Sequence, residues 1–269
     1  MKARSSVVPS YVRPTPRRLA GLPSSGWTVV LVATALVAID GYARSGAVSR
    51  LDLVPVGEMA IRAVEMLAEP DFVVDALLRS VLLICVSFAA SAVLGVTVAY
   101  AMARWRWVHR AVKPYVDVFY ALPIFALYPV MVVMFGTGVV PIILLSTLFS
   151  VVIVISHALV GFETTPAIVT KLARSLEMSR TQQLRKILMP SALPDILVGL
   201  KLGLAYAIIA VLATEFILAT TGLGQVVNRA YNNFNTVDMY AGIVFVSAFA
   251  LLANLALGAA LRAFDWRRR

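Results

Sequence analysis

The chain has 269 residues, of which 60% are apolar and 14% charged, and its mean hydropathy is +0.86. This is more apolar side chain than one soluble core can hide, so the composition predicts a membrane protein. The single cysteine, Cys85, excludes an intramolecular disulfide, and two histidines, His109 and His157, are too few for a histidine-rich metal cluster. The net charge of +10 lies in short basic clusters beside apolar runs, which favours contact with anionic lipid over nucleic acid.

The N-terminal part is predicted to hold a tail, one span and an outer segment. Residues 1–26 are rich in Pro, Ser and Arg and are expected to form a disordered cytoplasmic tail. The apolar run 27–43 ends without a small-x-small cleavage pattern, so it is interpreted as a retained span rather than a signal peptide. The stretch VGEMAIRAVEMLAEP in the outer segment 44–79 is amphipathic, and we expect it to lie along the interface as a short structural helix. The span and the outer amphipathic segment together form the unit 27–75.

Five further spans are predicted, because a helix needs about 20 apolar residues to cross a hydrocarbon core about 30 Å thick. They are 80–103, two spans between 117 and 157 that the turn-like FGTGVVP (135–141) separates, about 196–220 and about 239–261. The predicted fold is therefore all-α, a polytopic membrane protein with six transmembrane helices. Its core domain is expected at 76–265, followed by a basic C-terminal tail at 266–269.

The basic residues predict the orientation. Most lysines and arginines fall in four segments, 1–26, 104–113, 158–195 and 262–269, whereas Lys201 near the start of the fifth span stays unassigned. The positive-inside rule then places both termini and the long loop 158–195 in the cytoplasm.

Small residues recur every fourth position in two of the spans. They are Ser87, Ser91, Gly95, Ala99 and Ala103 in the second span and Gly199, Gly203 and Ala207 in the fifth. Such stripes let helix backbones approach closely where lipid supplies no hydrophobic drive. The pattern leaves open whether these stripes meet a helix of the same chain or of another copy.

The long cytoplasmic loop predicts a helical hairpin. Thr165 before Pro166 is a favourable helix start, because the hydroxyl can cap free N–H groups and proline suits the first helical position. Ile168, Leu172 and Leu176 then lie on one face of this first helix.

A second helix of the hairpin is predicted to start at Ser179, with Gln182 completing a capping box. Its apolar side is formed by Leu184, Ile187 and Leu188, and it is expected to stop before Pro190. The hairpin has two interpretations: a basic amphipathic element lying on the inner leaflet, or a docking element whose apolar ridge enters a groove of a soluble partner.

The spacing within the loop resembles that of the permease subunits of binding-protein-dependent ABC (ATP-binding cassette) importers, which carry EAA, three residues, G, nine residues, and I-x-L-P. In this chain Lys171, Leu172 and Ala173 occupy the EAA positions, Glu177 the glycine position, and Ile187, Met189 and Pro190 the I, L and P positions. Three other stretches resemble the nitrate/sulfonate/taurine branch of this family: 120–138, 192–207 and 213–224.

Two residues depart from the family pattern. The glycine normally permits a left-handed turn, which costs another residue about 1 kcal/mol, so Glu177 is expected to make a different turn. Lys171 replaces the usual acid and reverses a charge that would face the partner.

The resemblance implies a type I importer permease in the bacterial cytoplasmic (inner) membrane. Its partners would be an ABC ATPase, an external solute-binding protein, a second permease subunit (expected as a homodimer) and the lipid bilayer, with no nucleic acid. The first hairpin helix, about 166–176, would be the coupling helix, within a docking loop at 165–190. The docking residues implied are Ile168, Lys171, Leu172, Ala173, Leu176, Glu177, Ile187, Met189 and Pro190.

No GxxxxGK[ST] phosphate loop occurs in the sequence, so ATP hydrolysis is expected in a separate subunit. We expect the chain to be no enzyme and to bind no cofactor or metal, while the partner ATPase uses ATP and Mg. A membrane-embedded enzyme ranks last, because no HExxH, GxSxG or paired-acid motif is present.

Four side chains are candidates for the translocation pathway: Tyr128, Met131, Phe135 and Glu215. An ionisable group inside a span usually faces the protein interior, so Glu215 either lines the pathway or gate or is a hydrogen-bonded packing acid. Aromatic and methionine side chains at helical spacing also pack. Asp40 and His157 lie near span ends and are interpreted as interfacial. The alternative function is a proton-coupled secondary transporter with Glu215 and Asp40 as a relay.

Overall fold

The computed structural model describes residues 24–119 and 124–264, and every regular element in this part is a helix. The helices are α1 (Ser24–Arg44), α2 (Val56–Glu65), α3 (Arg79–Arg104), α4 (Arg106–Phe119), α5 (Tyr128–Phe135), α6 (Val139–Glu163), α7 (Ala167–Ser175), α8 (Arg180–Gln183), α9 (Met189–Leu218), α10 (Leu223–Asn232) and α11 (Thr236–Phe264). Two wider π turns, Phe72–Leu78 and Leu184–Leu188, lead directly into α3 and α9. Two 3-10 turns, Met66–Ala68 and Ile124–Leu127, complete the described elements. The predicted all-α class is confirmed.

Five helical stretches in the described residues are long and apolar enough to cross a membrane. They are Gly26–Arg44, Phe72–Arg104, Val139–Glu163, Arg180–Ile217 and Thr236–Leu261. The predicted third span corresponds to a shorter apolar helix, Phe125–Phe135, which follows the amphipathic α4. Residues 1–23, 120–123 and 265–269 lie outside the described residues, and these include the predicted C-terminal tail 266–269 and most of the predicted N-terminal tail 1–26. Residues 24–26 of that N-terminal tail form the start of α1 instead of a disordered segment. The count of six spans therefore stays a prediction.

The helix α6 is the centre of the bundle, with α3 on one side and α9 on the other. Glycines permit both contacts, because a Cβ added at Gly95 of α3 would lie 2.6 Å from Val154 Cγ1. A Cβ added at Gly203 of α9 would lie 2.7 Å from the other methyl of the same valine. The two predicted small-residue stripes therefore pack within one chain, on the two sides of α6, although Ala103 at the end of the first stripe is exposed.

A chain of hydroxyl groups links the same three helices. The Oγ atoms of Ser91 and Ser150 are 2.9 Å apart, and Ser150 donates a hydrogen bond of 2.8 Å to the carbonyl of Gly203. Both serines are fully buried. Such interhelical hydrogen bonds stabilise packing in an apolar medium, where an unpaired hydroxyl has no water to bind.

The predicted amphipathic helix of the outer segment is confirmed as α2, and it packs against the start of α11. Arg62 donates hydrogen bonds to Asp238 at 2.6 Å and to Glu69 at 2.7 Å. These two carboxylates raise the pKa of Arg62 well above its ordinary value, because each accepts a hydrogen bond from the charged guanidinium. Backbone carbonyls of the preceding loop also accept hydrogen bonds from Thr236 and Tyr240. The outer segment is thus held against α11 by side chains as well as by apolar contact.

Candidate functional site

The predicted hairpin is present between α6 and α9. Its first arm is α7, and its second arm begins with α8 after a turn of four residues. In the first arm the predicted cap is not made, because the hydroxyl of Thr165 has no hydrogen-bond partner among the described residues. The first turn is instead closed by the backbone, where the N–H of Val169 donates to the carbonyl of Pro166 at 3.1 Å.

The turn between the arms is left-handed, so the expectation of a different turn at Glu177 was wrong. Glu177 has a φ of +50°. The N–H of Met178 then reaches back to the carbonyl of Ala173 at 3.1 Å, a bond that closes the C-terminus of α7 in the manner of a Schellman motif. Because Ala173 is only 1% exposed, its carbonyl needs this protein donor, and the bond offsets the strain at the glutamate.

The second arm starts as predicted. The Oγ of Ser179 accepts from the N–H of Gln182 at 3.3 Å, and the Gln182 side chain accepts from the N–H of Ser179 at 2.9 Å. The capping box is therefore confirmed, and it fixes the position at which the chain re-enters a helix.

The prediction that the second arm stops before Pro190 was wrong. The helix passes through the π turn Leu184–Leu188 and continues into α9, so Arg180–Ile217 is one helical stretch of 38 residues. A π turn displaces the carbonyl that a proline ring would otherwise meet one turn earlier, and Pro190 then lies in the first turn of α9. The second arm and the fifth predicted span are consequently parts of the same rod.

The apolar face of α7 is uncovered in the single chain. Ile168 is 76% exposed and Leu176 is 64% exposed, and Lys171 and Glu177 are exposed beside them. Leu172 is also expected on this face, but its side chain is not among those that the structure describes. Ala173 faces the opposite way and is buried, and on the second arm Met189 is exposed whereas Ile187 and Pro190 are half-buried. A helix with bulky apolar side chains this exposed needs either lipid or a partner protein to cover them.

Replacing Glu177 with glycine should stabilise the hairpin by about 1 kcal/mol, because glycine adopts a positive φ without the steric cost that a Cβ brings. The change is measured as slower amide hydrogen exchange of the α7 backbone in the purified protein. Glu177→Ala is the matched control, since it removes the same charge but keeps the Cβ. If alanine slows exchange as much as glycine does, the glutamate charge and not its backbone conformation limits the turn.

At the opposite end of α9, Glu215 is fully buried. Ser80 Oγ lies 2.7 Å from both of its carboxylate oxygens and donates to them, and the N–H of Gly224 donates at 3.1 Å. The N–H of Leu223 donates in turn to Ser80 Oγ at 2.8 Å. The carboxylate therefore lies at the N-terminus of α10, where free N–H groups and the helix dipole favour an acceptor or a negative charge.

Two glycines allow this close approach. Gly222 has a φ of +115°, and a Cβ placed there would overlap the carboxyl carbon of Glu215. A Cβ on Gly224 would overlap the backbone of α9 at Leu212. The segment that precedes α10 thus folds directly over the acid. The sequence drew attention to Glu215 but not to Ser80, Gly222 or Gly224, because the partner serine is 135 residues away in the chain.

The other ionisable candidates lie apart from this network. Asp40 pairs with Arg44 at 2.7 Å on α1, so it shares no hydrogen-bond partner with Glu215 among the described residues. His157 of α6 is half-buried against Gly199 of α9. Within the described ranges no group of three or more His, Cys, Asp or Glu side chains is placed to hold a metal ion.

The aromatic candidates fall into two groups. Tyr128 is buried and, with Met131, packs against Leu145 and Phe149 of α6. Phe135, at the end of α5, is 47% exposed. The single chain therefore leaves Phe135 accessible and encloses Tyr128, while the pathway role of all four candidates stays a prediction.

Residues 91–269 match the family described as binding-protein-dependent transport system inner membrane component. The match covers more than half of the chain and includes the hairpin, α9 and Glu215. The chain belongs to this family. Membership agrees with the resemblance found in the loop spacing, and it places the protein among inner-membrane components.

Similar proteins from several bacteria carry different solutes. The taurine transport system permease protein TauC of Escherichia coli (strain K12) is 34% identical over 179 residues, which is 66% of this chain and 65% of that protein. The riboflavin transport system permease protein RibX of Chloroflexus aurantiacus is 26% identical over 58% of each chain. The nitrate import permease protein NrtB of Synechocystis sp. (strain PCC 6803) is 23% identical over 64% of this chain and 62% of its own. The match thus spans less than two thirds of the length of these relatives.

Solved structures show the same fold. The chain of an inward-facing MetNI methionine ABC transporter superimposes with a TM-score of 0.64, at 20% identity, covering 72% of this chain and 98% of that one. A chain of an amino acid ABC transporter crystallised with histidines gives a TM-score of 0.59 at 16% identity, covering 77% and 98%. The importer permease fold is therefore the fold of this family member.

Proposed function

We propose that this chain is the transmembrane permease subunit of an ABC importer and that the hairpin of α7 and α8 docks a separate cytoplasmic ATPase. The observation that carries the proposal is the uncovered apolar face of α7, which stands at a turn rigidly closed by hydrogen bonds. Family membership supports it, and so does the match to taurine and nitrate permeases. The remaining partners would be a second permease copy and an external solute-binding protein. The two permease copies would form the solute pathway, and the binding protein would deliver the solute to it.

The arrangement suggests how ATP binding would move the spans. A force on α7 passes through the capped turn into the second arm, and that arm is continuous with α9. At its far end α9 is tied to α10 and α3 by Glu215 and Ser80. Docked ATPases that approach each other would therefore displace a rod that reaches the opposite side of the bundle, as rigid-body transitions require. In the proposed orientation, with the hairpin in the cytoplasm, both termini are also cytoplasmic and six spans cross the membrane.

The proton-coupled alternative requires a relay between Glu215 and Asp40, and these acids share no partner in the described structure. The similar proteins named above are transport or import permease proteins and chains of ABC transporters, which favours the importer. Uptake into vesicles should accordingly require the ATPase and ATP. Undiminished uptake by the permease without any ATPase would contradict the proposal.

Replacing Leu176 with aspartate should abolish co-purification of the proposed partner ATPase, because a desolvated charge would face the partner's groove. Ile168→Asp should act in the same way. Both side chains are exposed, so the permease itself should still insert and elute as wild type. The measurement is the ratio of ATPase to tagged permease after detergent extraction.

Ile61→Asp is the matched control, because Ile61 is also 64% exposed but lies on α2, away from the hairpin. It should leave ATPase binding unchanged. Retained ATPase binding by both hairpin variants, together with cross-links from α7 to phospholipid alone, would show that the hairpin lies on the inner leaflet instead.

A further inference from the structure

The helices α9 and α11 enclose a groove that the proposed function does not use. Its volume is about 420 Å³, and its walls are mainly apolar, formed by residues that include Ala205, Ile209, Leu251 and Leu255. Two polar side chains, Lys201 and Asn254, also line it. Since both helices are long enough to span a membrane, this groove opens within the apolar part of the bundle.

Lys201 is a cation inside the helical stretch Arg180–Ile217. Its side chain is exposed, and no carboxylate of the described residues forms an ion pair with it. A charge in a span is costly unless it is paired or reaches the headgroup region, so an ionisable residue here indicates a specific partner. An anion from outside the chain would supply the opposite charge.

The position of the amine restricts what this anion is. A Cβ added at Gly258 of α11 would lie 3.6 Å from Lys201 Cε, so the lysine reaches toward the C-terminal end of α11. Gly258 is one turn before Arg262, where the apolar run of α11 gives way to a basic end. One turn corresponds to about 5 Å along the axis, a distance that a lysine side chain can bridge to reach lipid phosphate.

The groove therefore offers a cation at its headgroup end and an apolar channel below it. Asn254, one turn from Gly258 on α11, adds an amide beside the cation that can donate to an ester carbonyl. A small inorganic or organic anion would satisfy Lys201 but leave the apolar walls uncovered. An anionic phospholipid satisfies both, because its phosphate, ester groups and acyl chain follow one another in this order.

We infer that the groove between α9 and α11 binds one anionic phospholipid, whose phosphate pairs with Lys201 and whose acyl chain lies along Ala205, Ile209 and Leu251. The occupied groove would fix α11 against α9, the helix that the hairpin moves. This inference rests on the membrane-spanning arrangement of the proposed function and not on ATPase docking. If Leu176→Asp and Ile168→Asp do not abolish ATPase binding, the inference about the lipid is therefore unaffected.

The test uses the full-length protein, delipidated in detergent and titrated with dioleoyl phosphatidylglycerol or dioleoyl phosphatidylcholine, with bound lipid counted by native mass spectrometry. Wild type should bind one phosphatidylglycerol about fivefold more tightly than phosphatidylcholine, the preference that one basic residue near a lipid surface provides. Lys201→Gln should lose this preference, and Lys201→Arg should keep it. Ala205→Trp should weaken binding of both lipids, because it fills the acyl channel and leaves the charge in place.

Three results would overturn the inference. Equal preference for phosphatidylglycerol in Lys201→Gln and wild type would show that Lys201 does not recognise the headgroup. Displacement of the lipid by equimolar soluble glycerophosphoglycerol would show that the site takes the anion and not the lipid. Disulfide cross-linking of Leu255→Cys between two copies, in a Cys85→Ser background, would show that a second permease covers the groove.

Discussion

Replacing Gly203 with leucine should destabilise the folded permease by about 3 kcal/mol, the upper part of the usual range for overpacking a tight contact. A Cβ at this position already lies 2.7 Å from Val154 Cγ2 and 3.2 Å from Ser150 Oγ, so a larger side chain must push α9 away from α6. The displacement would also break the hydrogen bond from Ser150 to the Gly203 carbonyl. The free energy of unfolding is measured by titrating the detergent-solubilised protein with a denaturing detergent.

A pair of smaller substitutions tests the same contact more specifically. Gly203→Ala should destabilise the protein, and adding Val154→Ala should restore part of the loss, because the nearest obstructing methyl is removed. Gly41→Leu is the matched control, since nothing lies within 4 Å of a Cβ at Gly41 on α1. If Gly203→Leu unfolds at the same denaturant concentration as Gly41→Leu, the close packing of α9 on α6 is wrong.

The positions of the long spans could be predicted because a backbone inside lipid must satisfy its own hydrogen bonds, so a sufficiently long apolar run becomes a helix. The small-residue stripes were also readable, since their period of four places them on one helix face. Their shared partner was not, because Val154 is one of many branched residues in α6 and nothing in its local sequence marks it as the contact. The described part of the predicted third span contains the 3-10 turn Ile124–Leu127 and the short α5, so this span stays a prediction.

The two wrong predictions for the hairpin, at Glu177 and Pro190, came from the local conformational preferences of these residues. At both positions the tertiary structure determines the backbone conformation. The capping box at Ser179 is a local interaction and was predicted correctly. Glu177 adopts the left-handed conformation against its own preference because the buried Ala173 carbonyl needs a donor. Pro190 does not end its helix, because a π turn accommodates the ring. The sequence singled out Glu215 but not its hydrogen-bond partners, since Ser80 is 135 residues away and the approach of the nearby Gly224 N–H depends on how the chain folds over the acid.

Replacing Glu215 with alanine should detach α10 from α9 and α3, at a cost of about 3 kcal/mol or more. The substitution removes the acceptor of the Gly224 N–H and of the Ser80 hydroxyl, and each buried donor left unpaired costs about 1–3 kcal/mol. Glu215→Gln should have a smaller effect, because its carbonyl still accepts one bond while its amide replaces the second acceptor by a donor. The expected signature is fast amide hydrogen exchange across 223–232 in the alanine variant, with a lower melting temperature.

Two further variants distinguish the effect of losing this hydrogen-bond network from the effect of losing an acidic side chain elsewhere. Ser80→Ala should also release α10, because Ser80 accepts from the Leu223 N–H while it donates to Glu215. Glu58→Ala removes an acid whose ion pair with Arg50, at 3.5 Å, is largely exposed, so exchange in α10 should stay at the wild-type rate. Slow exchange of α10 in both Glu215→Ala and Ser80→Ala would mean that apolar contacts alone hold this helix. The far end of the α9 rod would then lack the polar anchor through which movement of the hairpin is proposed to reach α10.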